Sequence, residues 1–155
     1  MKILFVCSGN TCRSPMASAL FLQGLRDLGA KGKKREWEIW SAGLWTYNGL
    51  PASAPAVAAM REQGVDLSQH RSAQLGAGNI IAADLILTMT TRQRDYLLER
   101  FPAQARQIFT LSEFTGDASG EVVDPYGQDL EAYRASLAQI KFLVDRLLHK
   151  IIESG

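Results

Sequence analysis

The chain has 155 residues, 46% of them hydrophobic and 21% charged, which suits one domain spanning residues 1–155 with a substantial buried core. Seventeen basic residues against 16 acidic ones leave a net charge of +1, which gives no reason to expect nucleic acid or a membrane surface as a partner. The apolar start at 3–6 is too short for the core of a signal peptide, and no run approaches the roughly 18 residues of a membrane span, so the expected compartment is the cytoplasm.

Residues 2–6 read as a buried strand. The small and polar stretch Cys7-Ser8-Gly9-Asn10-Thr11-Cys12-Arg13-Ser14 follows, and Pro15 sits in the first turn of a helix. Its apolar positions Met16, Ala19, Leu20, Leu22, Leu25 and Leu28 recur at helical spacing until Gly29 stops it. Residues 31–35 form a basic turn, read as a solvated linker, with attraction for acidic substrate segments as the alternative. Residues 37–41 alternate like a second strand and run into Ala42-Gly43, and 44–54 has a loop composition with Asn48-Gly49, Pro51 and two large aromatics, Trp45 and Tyr47. A helix is expected over 55–63, ended by Gly64; a third strand over 85–89; a helix over 91–101, closed by Pro102; and a fourth strand over 108–111. The segment 112–128 reads as a loop, and 130–152 as a long amphipathic helix with Leu137, Ile140, Leu143, Val144, Leu147 and Ile151 on one stripe. Strands alternating with helices predict an α/β fold, a four-stranded parallel doubly wound sheet with helices on both faces. Its functional site should lie at the carboxyl ends of the strands, where Cys7 and the loop after the fourth strand both fall.

The first of those loops has its own chemistry. Gly9 is free to take a positive φ, Asn10 tolerates a left-handed backbone, and successive amides in such a turn form an anion-binding concavity. The helix N-terminus behind it adds a favourable dipole. Arg13 can grip two oxygens of a phosphate-like anion with its planar fork, and the positive surroundings favour the thiolate of Cys7. Ser14, at the helix start, can cap free amides or donate to that thiolate. A cysteine after a buried strand is usually a small apolar residue, and an arginine at a helix start is usually solvated; here the two stand together between a strand and a helix. There is no Gly-x-x-x-x-Gly-Lys-Ser/Thr and no Gly-x-Gly-x-x-Gly to suggest a nucleotide loop. Two cysteines in one loop are neither a disulfide framework nor a zinc ligand set, so neither metal nor cofactor is expected.

Cys7 to Arg13 is the Cys-x5-Arg pattern of cysteine-dependent phosphatases, and Val6-Cys7-Ser8-Gly9-Asn10-Thr11-Cys12-Arg13-Ser14-Pro15-Met16-Ala17 resembles the low-molecular-weight protein tyrosine phosphatase family. The resemblance extends to Ser41-Ala42-Gly43, to Ala83-Asp84-Leu85-Ile86-Leu87-Thr88-Met89 and to Asp124-Pro125-Tyr126, and so covers nearly the whole chain. It implies that family's fold and a hydrolase acting on phosphorylated proteins through a phosphocysteine. Cys7 would be the nucleophile and Arg13 the phosphate clamp, with Ser8, Gly9, Asn10, Thr11, Cys12 and Ser14 completing the phosphate loop. Asp124, on a loop stiffened by Pro125, would protonate the leaving group and later take a proton from the attacking water; Asp117, Glu121 and Asp129 rank below it. The resemblance sets Trp45 or Tyr47 beside the substrate side chain, the alternative being that they pack on the domain surface. His70 matches the histidine that hydrogen-bonds the loop asparagine, here Asn10, and so supports the loop. Cys12 either closes a reversible disulfide with Cys7, which would protect the nucleophile from deeper oxidation, or fills the loop interior.

Substrate choice turns on Thr11. Tyrosine phosphatases of the family commonly carry an apolar branched residue at that position, whereas Thr11 and Asp124-Pro125-Tyr126-Gly127 resemble the bacterial protein arginine phosphatase branch, and a hydroxyl suits a guanidinium better than a phenyl ring. Tyr126 points the other way, since the arginine branch often has Phe there. An arsenate reductase shares fold and loop but needs cysteines late in the chain, and none follows Cys12. A non-catalytic phosphoprotein-binding module would not need both Cys7 and Asp124.

Overall fold

The strand β1 (Lys2–Cys7) is buried from Ile3 onward, because both of its faces are covered, and its sequence is accordingly a continuous apolar run with no alternation. In the computed structural model, which describes residues 1–117 and 120–154, β1 pairs in parallel with β2 (Glu38–Gly43) on one side and with β3 (Leu85–Thr88) on the other. β4 (Ile108–Thr110) pairs with β3 and completes the order β2-β1-β3-β4. Six α-helical segments are described: α1 (Arg13–Asp27), α2 (Ala54–Glu62), α3 (Ala77–Ala82), α4 (Thr91–Arg100), α5 (Leu111–Phe114) and α6 (Leu130–Ser154).

Alternate side chains of β1 divide the core in two. Ile3, Phe5 and Cys7 join Met16 and Phe21 of α1, Ala59 and Met60 of α2, and the stripe from Leu137 to Ile151 of α6 in one cluster. Leu4 and Val6 point the other way, towards Ile80 of α3 and Leu97 of α4. The sheet therefore has helices on both faces, with the ends of β1 and β3 and the loop after β4 at one edge. The approach of α1 to α6 is close at Gly24, where a Cβ would fall 2.2 Å from a methyl carbon of Leu148. Among the described residues no helix is long and apolar enough to cross a membrane.

The sequence reading missed or misplaced four short elements. Leu111 opens α5 and is not the end of the fourth strand: Thr110 Oγ1 accepts from Glu113 N (3.0 Å) while Glu113 Oε1 accepts from Thr110 N (2.9 Å), and this reciprocal cap turns the chain into a helix inside the expected loop. That loop, 112–128, also includes 118–119, which lie outside the described residues. α3 spans only six residues, too few for a helical period to show, and its first turn is tied by Gly76 N donating to Asn79 Oδ1 (2.9 Å). A 3-10 helix, Pro102–Gln107, fills the connection to β4. Within the basic turn, Gly32–Lys34 is likewise a 3-10 helix, and Gly32 is required there because a Cβ would sit 2.3 Å from the carbonyl oxygen of Leu25.

Candidate active site

The five residues between β1 and α1 reverse the chain around the sulfur of Cys7. Of the two residues suited to a left-handed conformation in this turn, Gly9 and Asn10, it is Asn10 that adopts it, with φ 56°. Asn10 holds that conformation because its fully buried side chain is bonded at both ends: Oδ1 accepts from Ala73 N (2.9 Å) and Nδ2 donates to Ser14 Oγ (2.9 Å). The Ser14 hydroxyl thus anchored lies in hydrogen-bond contact with the Cys7 sulfur, 2.9 Å away, and Asn10 N donates to the sulfur at 3.2 Å. The loop carbonyls face outward: Leu44 N donates to Cys7 O (3.0 Å), Trp45 N to Ser8 O (2.9 Å), Ser53 N to Thr11 O (3.0 Å) and Met16 N to Cys12 O (3.2 Å). Turning the carbonyls out turns the amides in, and no side chain caps the N-terminus of α1 behind them.

His70 lies behind the loop. Its Nε2 is 2.7 Å from the carbonyl oxygen of Asn10, an atom that only accepts, so this nitrogen carries a proton and donates. Burial pushes the imidazole below its ordinary value of 6.5, against the opposing pull of that bond, and Arg71 nearby lowers it further.

Arg13 and Asp124 meet across the mouth of the loop. Arg13 is buried, its Nη1 donates to Val122 O (3.2 Å), and its Nη2 lies 3.4 Å from Asp124 Oδ2. Asp124 Oδ1 accepts from Tyr126 N (3.0 Å), a local turn that sets the carboxylate's direction. Cys7, Ser8, Gly9, Thr11, Cys12, Arg13 and Asp124 line one cavity of about 730 Å³ together with Trp45, Tyr47, Leu50 and Tyr126. Trp45 lines the cavity and packs edge-on against Tyr96 of α4, with ring centroids 5.0 Å apart. Tyr47 and Tyr126 are far more exposed, at 81% and 71%. Asn10, Ser14 and His70 do not line the cavity and touch it through the loop alone. Of the carboxylates ranked lower, Glu121 accepts from Thr91 N (2.7 Å) at the start of α4, and Asp129 accepts from Ala132 N (3.0 Å) at the start of α6.

Cys7 and Cys12 are both free thiols. The Cys12 sulfur faces inward, 3.3 Å from Tyr133 Oη and 3.4 Å from Ser53 Oγ, and Ser53 donates to Tyr133 at 3.1 Å. Burial first, and the bond to Cys12 second, push the Tyr133 phenol up to about 12, so it stays protonated beneath the loop. Sequence reasoning passed over Tyr133, which hides in the apolar stripe of α6. It also passed over Gln93, a buried residue of α4 whose Nε2 donates to Ser8 Oγ (3.1 Å) while its Oε1 accepts from Met89 N and Thr90 N (2.9 and 3.1 Å). The pattern Thr90-x-x-Gln93 is a capping box and was legible as one; its reach to Ser8 was not.

A buried arginine and a thiol at the mouth of an amide-lined turn, on the carboxyl edge of a parallel sheet, define a phosphoryl-handling enzyme with a sulfur nucleophile. The whole-chain comparison is specific: residues 2–154 match the family model of the low molecular weight phosphotyrosine protein phosphatase, and this chain belongs to that family. The protein-arginine-phosphatase of Geobacillus stearothermophilus is 40% identical over 150 residues, covering 97% of this chain and 95% of that protein. The probable low molecular weight protein-tyrosine-phosphatase EpsP of Ralstonia nicotianae is 37% identical over 153 residues, covering 99% and 97%. Among solved structures, a YwlE arginine phosphatase variant with a phosphorylated active-site serine superposes with a TM-score of 0.89 at 32% identity, covering 97% of this chain and 95% of that one.

Proposed function

We propose that this protein is a phosphatase of phosphorylated proteins that hydrolyses phosphoarginine through a phosphocysteine on Cys7. The thiolate attacks phosphorus while Arg13 and the loop amides hold the phosphoryl oxygens, and the P–N bond breaks as Asp124 delivers a proton to the departing guanidine. That proton matters, because the conjugate acid of the leaving group has a pKa above about 12. Water then attacks the phosphocysteine, with Asp124 taking its proton, and inorganic phosphate leaves. In this reading Ser8, Gly9, Asn10, Thr11, Cys12 and Ser14 form the phosphate loop, with His70, Asn10 and Ser14 as its support, and Trp45, Tyr47, Thr11 and Tyr126 choose the substrate. Residues 1–155 act as a single phosphatase domain in the cytoplasm, a reducing compartment that keeps Cys7 and Cys12 as the thiols the chemistry needs. Its partners are phosphorylated proteins, not nucleic acid or membranes.

The observation that carries the choice of substrate is Thr11, a loop residue that lines the cavity and brings it a hydroxyl able to accept from a guanidinium. The protein named an arginine phosphatase at 40% identity supports it. Phosphotyrosine is the second reading, favoured by the apolar walls Trp45, Tyr47 and Leu50 and by the relative named a tyrosine phosphatase. The deciding experiment compares kcat/KM on matched peptides carrying phosphoarginine or phosphotyrosine, with Cys7→Ser as the inactive control. A preference for phosphoarginine that Thr11→Val diminishes upholds the proposal; a preference for phosphotyrosine in the unaltered enzyme overturns it.

A further inference from the structure

Asp124 reaches the cavity on a loop, so something outside the loop has to fix its position. The backbone just before it is bonded group by group to other elements. Val122 N donates to Met89 O beyond the end of β3 (3.0 Å), and Val122 O accepts from Arg13 (3.2 Å). Two side chains of α6 hold the rest. Gln139 brackets the segment, its Nε2 donating to Glu121 O (2.8 Å) and its Oε1 accepting from Val123 N (3.3 Å), which are the two bonds a neighbouring strand would supply. Ser136 Oγ donates to Val123 O (3.0 Å). Positions 136 and 139 lie one turn apart on the same face of α6. That face is anchored: Ser136 is itself buried, and its neighbours Leu137 and Ile140 sit in the core under β1.

We infer that Ser136 and Gln139 are positioning residues for the general acid, holding the 121–123 backbone on α6 so that the carboxyl of Asp124 is in place before substrate arrives. This rests on the reading of Asp124 as the proton donor. A preorganised donor needs no loop closure, and its value appears only where the leaving group needs a proton.

The test measures kcat/KM, which reports the steps up to phosphoryl transfer, across aryl phosphates. The series runs from dinitrophenyl phosphate, whose leaving group departs unaided, to phenyl phosphate, whose leaving group has a pKa of about 10. Ser136→Ala and Gln139→Ala put the best helix former into α6 and leave its core stripe intact. Each is expected to lose about tenfold on phenyl phosphate and about twofold or less on dinitrophenyl phosphate, a smaller copy of the loss of about a hundredfold or more that Asp124→Ala shows on the same poor leaving group. An equal loss across the series in the two helix variants, or none, overturns the positioning role while leaving Asp124 as the acid. A loss in Asp124→Ala that ignores the leaving group overturns both. Unfolding midpoints measured on the same preparations show whether a uniform loss follows from instability.

Discussion

Asn10 carries more of the site than its position in the middle of a loop suggests. It sits at φ 56°, bonds Ala73 N and Ser14 Oγ with its side chain, donates from its backbone to the Cys7 sulfur, and receives His70 on its carbonyl. Asn10→Ala would lose two buried hydrogen bonds of about 1 kcal/mol each and would leave a Cβ residue in the left-handed region, which costs roughly another 1 kcal/mol. A loss of about 2–3 kcal/mol in urea unfolding is therefore expected, with a fall in kcat because the Ser14 hydroxyl is no longer oriented; Asn10→Ala unfolding at the same urea concentration as the unaltered protein would contradict this account. His70 makes a pH prediction of definite sign. Its folded value is depressed below 6.5, so between the folded and ordinary values the unfolded chain binds more protons than the native one. The stability contributed by neutral His70 is complete above pH 6.5 and is lost as the pH falls below that. The urea midpoint should drop on acidification through this window, and His70→Gln should remove that part of the drop; an unchanged slope in the variant would refute it.

Between elements, the decisive contact is the one between the end of β2 and the loop that joins β1 to α1. Gly43 closes β2, and a Cβ there would meet Gly9 C, Ser8 O and the Thr46 methyl group, each at 3.0 Å. Two of those three atoms are backbone of the loop itself, so the strain cannot be relieved by rotating a side chain. Gly43→Ala should therefore displace residues 8 and 9 and lower kcat/KM by about tenfold or more, since a misplacement of about 1 Å in such a site costs on the order of a hundredfold. Full activity in Gly43→Ala would show that the loop tolerates the intrusion. The helix α6 acts at the same scale: its apolar stripe fills one face of the sheet, its Tyr133 lies against Cys12, and its polar positions reach the backbone just before Asp124. Ile140→Ala, at a site with no exposure, should cost about 2–5 kcal/mol of stability.

For the molecule as a whole, the loop, Arg13 and Asp124 form a site that exists only in the folded chain, so a ligand for it stabilises the fold by linkage. Inorganic phosphate at a hundred times its Kd would add about 2.7 kcal/mol, and for a chain of this length that raises Tm by about 5–10 °C. Arg13→Ala should abolish most of this shift. A phosphate-induced shift of equal size in Arg13→Ala would place the anion elsewhere on the surface. The residues that line the cavity come from β1, α1 and the loops after β1, β2 and β4, and only the parallel sheet brings them to one edge.

The sequence by itself determined what is local. The apolar run 3–6, the spacing of Cys7 and Arg13, the turn residues between them and the stripe of α6 are patterns of near neighbours, and they were enough for the α/β fold and for the turn that joins β1 to α1. Short elements escaped where the cause was a reciprocal cap, as at Thr110 and Glu113, or where six residues could not show a period, as at Ala77–Ala82. Tertiary structure alone decided which of the two suited residues, Gly9 or Asn10, takes the left-handed turn, that Gln93 reaches Ser8, that Tyr133 lies under Cys12, and that Gln139 brackets the approach to Asp124. Each of these joins residues far apart in the chain or depends on such a contact, and a polar side chain in a helix has no pattern along the sequence that names its partner: that partner is whichever unsatisfied backbone group the packed fold sets within about 3 Å.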